Sequence, residues 1–286
     1  MRYAIHLPII SEYSDPRLLS ELAHEAEAAG WAGVFVWESL PLNPDHVPAV
    51  TDPWIALAAI ALRTSHIKIG PLAIALDHRR PWKVAREIVA LDQLSGGRLI
   101  LGVGLDQSGP TDSAQLGVAD EAQARASKLD EVLEIVSGLC SGEPFGYDGE
   151  HYQLQEIVFL PRPVQQRIPI WAAVDQADAA SLRRAARWDG AYYLAEADAP
   201  DSTIARPASP DGVRTMLEHI DGQRARTAPY DLVISRSLWQ EDAATAQEAV
   251  AALAAAGATW IVQDVLPWEL TPDQARMLIR RGPPKA

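Results

Sequence analysis

The pair Gly102 and Gly104 closes the apolar run 98–104, and a segment carrying Asp106, Gln107 and Ser108 follows at once. Glycine has no Cβ, so a backbone built from it can lie close against a ligand. Two phosphate-binding readings of this stretch fail. A dinucleotide fingerprint needs glycine at position 107, which is Gln107, and no Gly-Lys-Ser/Thr completes a Walker loop. The glycines serve equally to let a strand end pack closely. His24-Glu25 opens like a zinc-protease helix, but Ala28 stands where the second histidine belongs, so no metal is expected. No Gly-x-Ser-x-Gly elbow is present. Cys140 sits in an apolar helical pattern and reads as core.

The elements that must carry these residues alternate throughout. Short β-like runs at 3–7, 33–37, 67–74, 98–104, 168–174, 190–194, 231–238 and 259–265 each precede a helical pattern. The helices are expected at 16–30, 52–64, 81–95, 121–141, 177–188, 211–225, 243–257 and 271–282. Asp15 and Gly30 punctuate the first, and Pro53 suits the first turn of the second. Eight βα units close most naturally into a TIM-type (β/α)8 barrel, here one domain over residues 1–286. The segment 143–166 breaks the rhythm. Its alternating aromatic and polar residues around Asp148-Gly149 predict a hairpin between the fourth helix and the fifth strand.

In a barrel, chemistry gathers at the C-terminal strand ends. Trp37, Trp171 and Trp239 fall at or just beyond such ends, as do Tyr192 and Tyr193. Together they favour a flat or bulky apolar organic ligand over a sugar phosphate. The hairpin residues His151 and Tyr152 are placed to cover that mouth.

Composition narrows the partners. Lys and Arg number 25 against 38 Asp and Glu, a net charge of −13 that disfavours nucleic acid. The single cysteine, the absence of a leader pattern and the lack of a bilayer-length apolar run point to a cytoplasmic protein without a membrane.

The stretch LDQLSGGRLILGVGLD, 91–106, resembles the fourth-strand signature of the bacterial-luciferase-like oxidoreductases, TIM barrels that use FMN or the deazaflavin coenzyme F420. The likeness continues in order through 21–40, 52–74, 78–98, 129–154 and 160–174, and the closing 257–268 with 278–284 is similar to one compact branch. It implies an Asp-His pair after strand two, where this chain has Glu38-Ser39, a carboxylate without the imidazole. It implies a non-prolyl cis peptide at Leu72–Ala73 supporting the cofactor ring beside Gly104. After strand five, where relatives offer Gly-Ser or Gly-Gly to the cofactor phosphate, this chain reads Ala172-Ala173-Val174-Asp175. Asp106 stands where a displaced carboxylate can serve, and Arg79-Arg80 keep the family's basic loop.

The expected activity is a flavin- or deazaflavin-dependent oxidoreductase or monooxygenase acting on a small hydrophobic molecule, with Glu38, Ser39 and Asp106 as catalytic candidates. The resemblance further implies a homodimer through the helices after strands two and three, and a separate flavin or F420 reductase. The departures at Glu38-Ser39 and Val174-Asp175 keep a second reading open: a barrel that has lost ordinary cofactor use and catalyses a non-redox step, or binds without catalysis.

Overall fold

The computed structural model describes residues 1–38, 48–105, 122–175, 178–193, 196–197, 205–206, 208–224 and 228–284. In chain order the elements are β1 (Arg2–Leu7), α1 (Pro16–Ala28), β2 (Gly33–Val36), α2 (Pro53–Arg63), β3 (Lys68–Pro71), β4 (Ile74–Ala75), α3 (Pro81–Ser95) and β5 (Leu101–Gly104). Then come α4 (Ala122–Ser141), β6 (Phe145–Asp148), β7 (Gln153–Ile157), β8 (Ile170–Val174), α5 (Ala179–Arg187), β9 (Gly190–Tyr193), β10 (Glu196–Ala197) and β11 (Ala205–Arg206). The chain finishes with α6 (Pro210–Asp221), β12 (Asp231–Ser235), α7 (Ala243–Ala255), β13 (Trp260–Asp264) and α8 (Pro272–Arg280).

Nine strands form one parallel sheet in the order β3-β2-β1-β13-β12-β9-β8-β5-β4. β3 and β4 are two halves of one stave, joined through Leu72–Ala73. The ring closes where Ile69 N–H donates to Arg98 C=O at 3.2 Å and Ile100 N–H donates to Ile69 C=O at 2.9 Å. Glycine is required there, because a Cβ on Gly70 would sit 1.8 Å from the Ile100 carbonyl oxygen. Eight staves with helices outside are the expected (β/α)8 barrel, and β6 pairs antiparallel with β7 as the expected hairpin.

Helix starts follow local chemistry. Asp15, Asp52, Asp178, Ser209 and Asp242 each accept from a first-turn amide, and Thr271 with Gln274 makes a reciprocal box. α3 stops at Gly96, whose φ of 68° is left-handed.

Strand alternation divides the core. Ile5, Leu7, Val34, Val36, Ala172, Val174 and Tyr193 face the helices in an outer shell. Ala4, Phe35, Leu72, Ile100, Trp171, Tyr192, Val233, Trp260 and Val262 fill the barrel. Trp171 packs edge-on against Trp260 at 5.3 Å and tilted against Phe35 at 5.2 Å, so an aromatic plug closes the interior below the C-terminal ends.

Two charged residues tie the shell together, Arg98 buried and Glu27 partly buried. Arg98 donates to the carbonyls of Ala61, Thr64, Ile67 and Ser95 and to Thr64 Oγ1, joining the end of α2 to the start of β5. Glu27 of α1 accepts from the amides of Ser65, His66 and Ile67, holding the turn into β3.

Candidate active site

All eight staves run parallel, so their C-terminal ends share one rim. On one side of it lies a shelf of small residues. Ala73, just past the cis Leu72–Ala73 bond, and Ala173 of β8 are half-buried, with Gly104 of β5 between them. A Cβ added to Gly104 would meet Ala73 Cβ at 3.1 Å and Ala173 Cβ at 3.2 Å, so a side chain there would fill the shelf. Leu72 points into the barrel and is fully buried beneath it.

Beside the shelf, Glu38 follows β2. One carboxylate oxygen accepts from Ala75 N–H at 3.0 Å and the other pairs with Arg79. Both oxygens are therefore engaged in fixing the stave just beyond Ala73. The next turn is anchored by Asp77, fully buried, which accepts from Arg125 Nε of α4 at 2.8 Å with His78 alongside at 3.1 Å.

The opposite side of the rim is polar and aromatic. His6 on β1 and Asp264 on β13 are register partners, and His6 Nδ1 lies 2.8 Å from Asp264 Oδ1. Ser235, at the end of β12, donates to the other oxygen of Asp264. Tyr192 of β9 meets the His6 ring edge-on at 6.2 Å. Burial, with Asp264 nearby, pushes the Tyr192 phenol well above its ordinary value against the opposing effect of Ser235, so it stays protonated. Trp37 stands 6.3 Å from the His6 ring and meets Trp268 edge-on at 6.3 Å.

The remaining sequence candidates separate by strand alternation. Trp171 is the barrel plug, whereas Ala172, Val174 and Tyr193 face outward, because neighbours on a strand point to opposite sides. Trp239 packs on the outer core in the 3-10 turn after β12. His151 bonds Ser127 at 2.6 Å, and the amides of Glu150, His151 and Tyr152 all reach Glu131. The hairpin turn is thus pinned to the flank of α4. Cys140 lines a small cavity with Ile88, Leu101 and Val136, and burial, followed by Asp92, pushes its thiol up to about 12. Ser39 and Asp106 lie outside the described residues.

The start of α5 is occupied by its own side chains. Asp178 accepts from the amides of Ala180 at 2.9 Å and Ser181 at 3.0 Å, and Ser181 Oγ accepts from Asp175 N–H at 3.1 Å.

A family model described as luciferase-like monooxygenase matches residues 5–282. The chain belongs to that family. Among its relatives is an uncharacterised protein of Mycobacterium tuberculosis, 31% identical over 228 residues and covering 74% of each chain. An F420-dependent glucose-6-phosphate dehydrogenase of Nakamurella multipartita is 29% identical over 218 residues, 74% of this chain and 62% of the relative. Among solved structures, the oxygenating constituent of 3,6-diketocamphane monooxygenase from Pseudomonas putida, in complex with FMN, shares the fold. Its TM-score is 0.74 at 15% identity, with 98% of this chain and 96% of that one covered. The Nakamurella relative of this luciferase-like protein is F420-dependent, and the Pseudomonas structure that shares its fold holds FMN. Among the described residues, no helix is long and apolar enough to cross a membrane.

Sequence reasoning on this family member missed His6, Ser235 and Asp264. The signal was available in the period of two: in YAIHL and WIVQDV, the inward positions end on a histidine and an aspartate after apolar residues.

Proposed function

We propose that this luciferase-like protein is a flavin- or deazaflavin-dependent oxidoreductase whose cofactor ring lies on the shelf of Ala73, Gly104 and Ala173. The carrying observation is that a Cβ at Gly104 would crowd both alanines, so the shelf is open only because position 104 is glycine. Ala73 would support the ring from below, and the Glu38–Arg79 pair with the Ala75 amide would hold that stave in place. When bound, the ring supplies the two-electron chemistry, and the protein supplies orientation and exclusion of water. Trp37, Tyr192 and Trp268 give the facing wall an aromatic character that favours a small hydrophobic substrate.

The dimer belongs to the same proposal. Ile55 and Leu62 on α2 are 60% and 73% exposed and Trp82 on α3 is 42% exposed, an apolar surface suited to a second copy. A cytoplasmic location and a separate reductase complete the reading.

One observation favours the second reading, a barrel that has lost ordinary cofactor use. Asp178 and Ser181 take up amides at the start of α5, and Asp175 and Asp178 bring negative charge there. Fluorescence and absorption titrations of cofactor-free protein with FMN and with F420 separate the two. Saturable, stoichiometric binding of either supports the oxidoreductase; binding of neither leaves the non-redox barrel.

A further inference from the structure

We infer that His6 is the proton-transfer residue of this rim, exchanging a proton with the oxygen of a ligand that carries a hydroxyl or carbonyl group. The inference rests on the reading of the rim as the active site. Its basis is a chain of three side chains on three neighbouring staves. β12, β13 and β1 are consecutive in the sheet, and they place Ser235, Asp264 and His6 at their C-terminal ends. Ser235 donates to Asp264, and Asp264 Oδ1 lies 2.8 Å from His6 Nδ1.

An ionised carboxylate only accepts, so Nδ1 carries the hydrogen in the neutral ring and Nε2 presents a lone pair. That Nε2 is buried and has no hydrogen-bond partner. A ligand oxygen at Nε2 would complete the hydrogen bonding of this chain. The alternatives are weaker. Among the described residues, no third His, Cys, Asp or Glu joins the pair to make a metal site. Ser235 bonds the carboxylate and not the imidazole, so no base activates it as a nucleophile. Glu38 has both oxygens engaged by Ala75 and Arg79.

The step is simple. The ligand O–H bond breaks, its electron pair stays on oxygen, and an N–H bond forms on Nε2. The positive charge that results on the imidazole is met by Asp264 across the Nδ1 bond. In reverse, Nε2–H returns the proton to the oxygen. The described groups facing His6 are Asp264 from β13, the protonated Tyr192 phenol from β9, whose ring centroid is 6.2 Å away, and the non-titrating Trp37 after β2.

The test uses the full chain with cyclohexanol and cyclohexanone as probes, read by side-chain 15N NMR of the histidines, with His6→Gln to assign the signal. The neutral His6 ring is expected as the Nδ1–H tautomer, the less common form in free imidazole side chains. The alcohol should bind about fivefold more tightly than the ketone to the neutral ring, because only the alcohol donates to Nε2. His6→Gln, whose amide both donates and accepts, should bind the two probes about equally. An Nε2–H tautomer, equal affinity of the wild type for the two probes, or no response of the His6 signal to either probe overturns the inference. FMN and F420 titrations on the same samples report the cofactor reading separately. A chain that binds neither cofactor but prefers the alcohol keeps the proton relay and loses only the redox assignment.

Discussion

Glu38 Oε2 accepts the Ala75 N–H at 3.0 Å while its other oxygen pairs with Arg79, so one carboxylate fastens the end of β2 to the stave that carries the shelf. The pair is mostly shielded from solvent, with the side chains 10% and 28% exposed. Glu38→Ala should weaken binding of the ring-bearing cofactor about tenfold, and Arg79→Met should do nearly the same. The double variant should be little worse than either, because the two act as one unit. Isothermal titration of the three variants checks this; additive losses would mean that the residues act separately.

Asp178 and Ser181 leave the first turn of α5 without an inviting anion site. FMN and riboflavin should therefore bind within a few-fold of each other, since the phosphate finds carboxylates where amides would otherwise face it. Asp178→Ser should shift the preference towards FMN. A wild-type preference of about a hundredfold for FMN, some 2.7 kcal/mol, would show that the phosphate is held elsewhere or that the turn rearranges.

The turn held by Glu27 gives a pH signature. Burial pushes the Glu27 carboxyl up, but the amides of His66, Ile67 and Ser65 and the charge of His66 outweigh it, leaving a net lowered value. A carboxyl lowered in the folded state stabilises the fold above its unfolded value and loses that contribution as the pH falls through the folded one. Glu27→Gln should cost about 2 kcal/mol at pH 7, with the difference shrinking below about pH 4. Chemical denaturation of both proteins across that range measures it, and a difference constant with pH would contradict it.

Much of the architecture was written in local patterns. Eight apolar runs each followed by a helical period gave the barrel, and Asp15, Pro53 and the Asp148-Gly149 turn marked real boundaries. The site was less legible. Tyr192 and Tyr193 look equivalent in sequence, yet alternation sends one into the rim and the other into the outer shell. His6 and Asp264 stand 258 residues apart, and only closure of β1 against β13 makes them register partners. The start of α5 was legible in charge but not in geometry: Asp175 drew notice, whereas the capping is done by Asp178.

The central claim is that the shelf of Ala73, Gly104 and Ala173 seats a flat redox ring, and Gly104→Val tests it most directly. Its Cβ alone would stand 3.1 Å and 3.2 Å from the two alanine Cβ atoms, and its methyl groups would occupy the space above them. Titration of the wild type and the variant with FMN and with F420, each checked for a cooperative thermal transition, gives the answer. The wild type should bind one cofactor at about micromolar affinity, and a folded Gly104→Val should bind it at least about tenfold more weakly. Equal affinity in the two folded proteins would place the ring elsewhere and contradict the assignment.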